Sequence, residues 1–343
     1  MRIFIVGPRI VGRWAESCKE ALIELGHSVS LFYYLDEIDK SFSKRLERKI
    51  AESKIFFSKI ISNRLNDKFY ERVKEYAPDV LLLLKAEMIY PSTLENIRRS
   101  MKKTVIVSWW VDDPIVWWKL NPSVQINTVQ SLSLIDHFFI FDHYYIPKLE
   151  KMGCKRVHYL PLACDPKIYK ELKLTEEEKS VYGSDVSFVG TCFPEREKFF
   201  LDLVKMDLDL KIWGGCWSNP NFKKYVAGGS RPAEEVSKIY NASSIVINIH
   251  NHQSVYSPNT KAFEINACGA FQCSDKLKDI GNLFDTGKDL ICYENVENLK
   301  ELIKYYLNNT QERKTIAQKG QERVLRDHTY RHRMMELLKI TLK

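Results

Sequence analysis

The chain reads as an α/β protein built from two Rossmann-like domains. Short β-branched or aromatic runs alternate with helical patterns along the 343 residues. The alternation restarts after a charged stretch at 167–184. The length suits two domains of about 150–170 residues each. Strands alternating with helices form βαβ units and hence parallel sheets.

In the first series the strand candidates are Ile3–Val6, Val29–Tyr33, Val80–Leu84, Val105–Trp109 and Phe138–Phe141. Helical patterns such as Val11–Leu25 and Phe69–Tyr76 separate several of them. Ligands of such sheets sit beyond the carboxyl ends of the strands. Gly7, Asp36, Lys85, Trp110–Asp113 and Asp142 fall at those ends. Gly7-Pro8-Arg9-Ile10-Val11-Gly12 is not a dinucleotide fingerprint, because the middle glycine is missing and Pro8 follows Gly7 directly. Gly7, Arg9 and Gly12 are expected instead to shape an acceptor-side loop.

Asp112 and Asp113, in WWVDDP, form the best catalytic pair of this half. Pro114 keeps the pair off a helix. One carboxylate could take a proton from an acceptor hydroxyl; equally, the pair could bind hydroxyls or cap a turn. Trp110, with Trp109, Trp117 and Trp118, could stack on sugar rings or serve as core. The carboxylates are adjacent and lack D-x-D spacing, so no metal is expected.

In the second series the strands are Val186–Val189, Leu210–Trp213, Ile245–Ile249, Ala270–Cys273 and Leu290–Tyr293. Pro232–Ala242 and Asn298–Leu307 are among its helices, and 326–343 is helical in pattern. The stretch 243–274 says most about chemistry. An apolar strand ends in His250-Asn251, a polar loop follows, and Ser257-Pro258-Asn259 caps a short helix that stops at Gly269. The unpaired N–H groups of a helix's first turn and its dipole favour a phosphate there. Lys261, Thr260 and Asn259 share that helix start. Glu264, one turn further in, can hold two ribose hydroxyls or pair with Lys261 at i, i+3. Arg196, just past the first strand of this half, can grip two phosphate oxygens or form a surface ion pair. Trp213 precedes Gly214-Gly215, where a base or sugar could stack, and it could also be core. His250 is either structural or catalytic beside the anion loop.

Hydrophobic content of 45% with 12% aromatics indicates packed cores rather than disorder. The longest apolar run lies near Val80–Leu84, too short for a membrane span of about 20 residues. A signal-peptide h-region is missing from the start, so a cytoplasmic location is expected. The eight cysteines show no C-x-x-C spacing, which argues against a zinc site or a disulfide framework. The net charge of +8 is concentrated in residues 40–74, with eleven basic residues against four acidic ones. An amphipathic helix pair with a solvated basic face accounts for this; the sharper reading is a peripheral contact with an anionic surface. No nucleic-acid motif accompanies the charge, so nucleic acid is not expected as a partner.

These motifs resemble the CgeB-like glycosyltransferases, relatives of the group-1 glycosyl transferases with the GT-B fold. Phe188-Val189-Gly190-Thr191 with Arg196 resembles the first strand and loop of that family's C-terminal domain. Gly228-Gly229, Arg231, Glu235, Tyr240 and 245–248 resemble its base-binding loop, helix and strand. Lys261–Glu264 with Cys268-Gly269-Ala270 resembles its signature helix, where arginine is more usual than Lys261. Glu312–Ala317, His328–Arg331 and Arg333 resemble its closing helices. WWVDDP and Tyr159–Ala163 also fit, so the likeness runs from about residue 78 onward. It implies an acceptor-side domain at 1–166, a donor domain at 167–325 and a last helix, 326–343, that crosses back to the first domain. It also implies transfer of a sugar from a nucleotide-diphosphate sugar to a glycan, protein or lipid-linked acceptor. Gly190, Arg196, Trp213, Gly229, Arg231, Asn251, Asn259, Thr260, Lys261 and Glu264 would bind the donor, with Asp112, Asp113 and His250 as catalytic candidates. No cofactor beyond the donor is expected. The wider class carries two glutamates eight positions apart, and Tyr256 occupies the earlier position here, so the stereochemical outcome stays open. A nucleotide-sugar 2-epimerase of the same fold and a non-catalytic nucleotide-binding protein are the alternatives.

Overall fold

The computed structural model describes residues 1–9, 13–34, 36, 56–115 and 122–343, with the backbone alone for 56–61 and 122–126. Gly12, Trp117, Trp118 and the basic segment up to residue 55 lie outside the described residues. The chain divides into two compact units, Met1–Leu160 with Arg333–Lys343 and Pro161–His332.

Unit 1 holds β1 (Arg2–Gly7), β2 (Ser28–Tyr33), β3 (Val80–Leu84), β4 (Val105–Trp110), β5 (His137–Ile140) and β6 (Val157–Tyr159). They form one parallel sheet in the order β2-β1-β3-β4-β5-β6. Its helices are α1 (Trp14–Glu24), α2 (Phe56–Tyr76), α3 (Pro91–Ser100), α4 (Pro122–Ser131) and α5 (Ile146–Lys151). Every residue of β3 is buried, as expected of a central parallel strand covered on both faces. The strand order reverses between β1 and β3, and ligands of open α/β sheets bind at such a switch point. Gly7 and Lys85 lie at the carboxyl ends of those two strands.

Unit 2 holds β7 (Ser184–Val189), β8 (Leu210–Trp213), β9 (Val226–Gly228), β10 (Ser243–Asn248), β11 (Gln272–Asp275) and β12 (Ile291–Tyr293). Its sheet is also parallel, in the order β12-β11-β10-β7-β8-β9. The helices are α6 (Glu176–Tyr182), α7 (Pro194–Leu203), α8 (Ala233–Ala242), α9 (Thr260–Ala267), α10 (Ile280–Leu283), α11 (Val296–Asn308) and α12 (Thr310–Asp327). The last helix, α13 (Tyr330–Thr341), spans the boundary, and its part from Arg333 belongs to unit 1. Phe188, Phe200, Trp217 and Phe222 pack edge-to-face or tilted at the heart of the second core. Here the switch point lies between β7 and β10.

Two strands escape the sequence pattern. β6 and β9 are three-residue edge strands, too short to display an alternation. β11 starts two residues later than the apolar run Ala270–Cys273 suggests. Phe271 instead packs on Tyr306, while the polar Ser274 and Asp275 continue the ladder opposite Asn248 and Tyr293. Among the described residues no helix is long and apolar enough to cross a membrane.

The ends of β7 and β8 touch backbone to backbone. Gly190 N–H donates to Trp213 O at 2.8 Å, and a Cβ on Gly214, whose φ is +142°, would lie 2.1 Å from Gly190 O. Gly214→Ala should therefore cost about 3 kcal/mol or more through strain and forced separation of the two loops. Chemical denaturation of the purified variant measures it.

Candidate functional site

The expected helix start in unit 2 is built as its sequence suggests. Asn259 caps α9, with its side-chain oxygen accepting from Ala262 N–H at 3.3 Å. The amides of Thr260 and Lys261 lead the helix ahead of that capped group, and Lys261 and Glu264 follow on the same short element. Glu264 is only partly buried and is not packed against apolar neighbours alone: Tyr169 and Thr260 hydrogen-bond to its carboxylate. Burial raises the carboxyl above the usual glutamate range, while Lys261 and these two bonds pull it back. Burial lowers Lys261 from the ordinary lysine value; Glu264 opposes this and the nearby Arg196 adds to it. An acidic and a basic group thus influence one another within the first turns of one helix. Among the described residues the two form no ion pair within 4.0 Å, so the i, i+3 alternative is reduced to a longer-range attraction.

Arg196 lies inside unit 2 rather than at its surface. Its side chain is 4% exposed, and its guanidinium donates to Thr191 O from Nη1 at 2.9 Å and to Ile249 O from Nη2. Those carbonyls follow β7 and β10, so Arg196 ties the two sides of the switch point together. The surface ion-pair reading is corrected accordingly, because the guanidinium is buried and each terminal nitrogen gives a hydrogen to a backbone carbonyl. Phe188 and Phe193 flank the cation, each ring centre 5.3 Å away. Burial lowers its pKa, and Asp275 opposes that.

Trp213 is 2% exposed and lies beneath the Arg231 guanidinium at 5.1 Å, with Tyr182 tilted against it. Its stacking surface is thereby covered, which corrects the base-stacking option in favour of core. Arg231 also approaches Glu235 at 3.5 Å. Gly228 admits this arrangement, since a Cβ there would meet Arg231 Nη2 at 2.4 Å. Among the described residues nothing stands within 4 Å of the position a Cβ would take on Gly229. Gly190 gives its carbonyl to Trp217 Nε1 at 2.9 Å. Asn251 closes a turn, its side chain accepting from Gln253 N–H at 3.3 Å.

His250 is 6% exposed, and both its backbone N–H and its Nδ1 face the Asp275 carboxylate. That partner was not anticipated, since β11 delivers it from the neighbouring strand. It orients the ring through Nδ1 and leaves Nε2 buried without a partner among the described residues.

Unit 1 sorts its two aspartates. Asp112 pairs with Lys85 Nζ. Asp113 is buried; it accepts from Ile115 N–H at 2.8 Å and hydrogen-bonds to Tyr145. The turn-capping alternative therefore describes Asp113, and the general-base option passes to Asp112. Lys85 and Ala86 both have left-handed backbones, with φ of +61° and +52°, at the carboxyl end of β3. Consecutive non-glycine residues in that region are uncommon and cluster at functional sites. Trp110 is fully buried and stacked on Phe138, which makes it core and corrects its sugar-stacking role. Gly7 is buried, its Cβ position 3.1 Å from Leu84. Arg9 is exposed, pairs with Asp36 at 2.9 Å and lies over Tyr33.

Comparison with known proteins agrees with this architecture. Residues 196–339 match the family described as glycosyl transferase-like. The spore protein CgeB of Bacillus subtilis (strain 168) is 22% identical over 264 residues, 72% of this chain and 77% of that protein. Sucrose-phosphate synthase from Thermosynechococcus elongatus superimposes with a TM-score of 0.68 at 10% identity, covering 99% of this chain and 98% of the other. Anabaena HepE, solved in complex with UDP-glucose, gives 0.64 at 12% identity, covering 99% of each chain. By these likenesses the chain is similar to the CgeB-like glycosyltransferases, and it has the GT-B fold.

Proposed function

We propose that this enzyme transfers a sugar from a uridine-diphosphate sugar, and that unit 2 binds the donor at the start of α9. The observation that carries this is the turn from Asn259 to Glu264. A capped helix N-terminus, a cation and a partly buried carboxylate held by Tyr169 and Thr260 stand within two turns of one another. The likeness to HepE, which was solved with UDP-glucose, supports uridine as the base.

In the reaction the bond between the anomeric carbon and the diphosphate oxygen breaks, and a bond from the acceptor oxygen forms. Negative charge grows on the departing diphosphate. The Thr260 and Lys261 amides, the helix dipole and the Lys261 ammonium meet that charge without need of a metal ion. Glu264 accepts from the ribose hydroxyls and so fixes the nucleoside. Arg196 shapes the site by holding the ends of β7 and β10 at a set separation. In unit 1, Asp112, paired with Lys85 Nζ, is the general-base candidate for the acceptor hydroxyl.

Calorimetry with UDP and UDP-glucose in excess EDTA tests the donor site. Binding is expected, undiminished by chelation; absence of binding, or a requirement for a divalent cation, would overturn the reading. Asp112→Asn should leave UDP affinity unchanged and lower kcat about 100-fold or more. Asp113→Ala should instead destabilise unit 1 by about 1–3 kcal/mol, the cost of two orphaned donors. Turnover with a panel of acceptor glycans and a denaturant titration separate the two effects.

A further inference from the structure

Asn248, in the middle of the second sheet, makes the phosphate-binding end of α9 what it is. The residue is fully buried on β10, in a strand otherwise apolar from Ile245. Its side chain and that of Asn259 form a reciprocal amide pair. Asn248 Nδ2 donates to Asn259 Oδ1 at 3.1 Å, and Asn259 Nδ2 donates to Asn248 Oδ1 at 3.0 Å. The same Asn259 oxygen caps α9. A second buried amide, Gln272 on β11, continues the contact. Its Oε1 lies 3.4 Å from Asn248 Nδ2, and its Nε2 donates to Ala262 O at 3.1 Å and to Asn266 Oδ1 at 3.2 Å. Asn266 in turn reaches Asp289 O at 3.4 Å. On the opposite side Tyr293 donates its hydroxyl to the Asn248 carbonyl at 3.0 Å.

A helix packed on a sheet by apolar contacts alone can slide and rotate by fractions of an ångström. Here two buried amides bond the helix at its cap, at its first turn and at its second turn. Buried polar groups are costly unless each finds its partner, so the network tolerates only one placement of α9. The capping oxygen of Asn259 is itself aimed by Asn248. With the cap fixed, the Thr260 and Lys261 amides that follow it are held with it.

We propose that Asn248 is a positioning residue for the donor diphosphate, acting through the Asn259 cap rather than by touching the ligand. The inference rests on the donor site assigned above to α9. Its signature is specific. Loss of Asn248 should weaken the contribution of the two phosphates to binding and leave that of the nucleoside intact.

The test compares uridine with UDP by calorimetry on wild type, Asn248→Ala, Asn259→Ala and the double variant. In wild type UDP should bind far more tightly than uridine; if it does not, the donor site itself is misassigned. The ratio of the two affinities is expected to fall about tenfold in Asn248→Ala, with uridine affinity unchanged. The double variant should lose no more than Asn259→Ala alone, because both changes remove the same cap. Additive losses, an unchanged ratio in Asn248→Ala, or equal weakening of uridine and UDP would overturn the proposal. If the alanine variant does not fold, Asn248→Ser serves, since its shorter hydroxyl cannot replace the reciprocal amide pair; the same outcomes apply to it.

Discussion

Glu264→Ala is expected to abolish the thermal shift given by UDP, with only a modest change in the melting temperature of the free protein. The reasoning is electrostatic. Burial pushes the Glu264 carboxyl upward and burial pushes the Lys261 ammonium downward, so each charge is kept largely by the other. Removing the carboxylate deprives Tyr169 and Thr260 of an acceptor, but it also removes a charge that burial opposes. The two effects offset one another in the free protein. No such offset exists for the ligand. Two ribose hydroxyls donating to an ionised acceptor contribute about 1.5–3 kcal/mol each. Their loss should weaken UDP by about 100-fold or more. Glu264→Gln should fall between, because the amide oxygen still accepts from Tyr169 and Thr260 while lacking the charge. The control is a UDP analogue without the two ribose hydroxyls. Wild type should bind it about as weakly as Glu264→Ala binds UDP, and the substitution should not weaken it further. Tight binding of UDP by Glu264→Ala would sink the ribose assignment.

The parts of this site legible in the sequence are those whose signal is local. Asn259 followed by an eight-residue helix, Glu264 one turn in and Gly269 at the end are all near neighbours in the chain, and the structure has them so. The strand cores were legible for the same reason, as runs of β-branched and aromatic residues. What sequence reading missed is carried by contacts between distant segments. Asn248 and Gln272 look like polar interruptions of apolar strands until the parallel register brings them under one helix. Tyr169 sits in a loop far upstream of Glu264, with nothing around it to suggest a partner. Asp275 fell beyond the strand as read, because the apolar run ended before the ladder did. Trp110 and Trp213 were ambiguous for a physical reason: tryptophan suits a core and a ligand platform equally, and only the neighbours decide. Lys85 was legible only as a strand-end residue; its left-handed backbone and its pairing with Asp112 carried no local mark, since both follow from tertiary context.

Arg196 shows how the same residue type leads to different roles, and its substitution separates them. If the guanidinium bound phosphate directly, Arg196→Lys would keep the fold, retain one cation and weaken UDP alone. The geometry predicts otherwise. Nη1 serves the carbonyl of Thr191 and Nη2 that of Ile249, one on each side of the β7–β10 switch point. A lysine ammonium is a compact point charge that cannot reach both carbonyls in a fixed fork. At least one carbonyl would lose its partner, and a buried cation would sit poorly satisfied between two aromatic rings. Hydrogen bonds to charged groups contribute about 1.5–3 kcal/mol, and leaving their partners unpaired in the interior costs about as much. Arg196→Lys should therefore lower the stability of unit 2 by about 2–3 kcal/mol, and Arg196→Ala by about 3–5 kcal/mol. Hydrogen exchange of the β7 and β10 amides, followed with denaturant, reads this locally. The amides of unit 1 should be unaffected. UDP affinity should fall in step with the loosening of those strand ends rather than ahead of it. An Arg196→Lys variant with wild-type protection of β7 and β10 and strongly weakened UDP binding would return the residue to the phosphate.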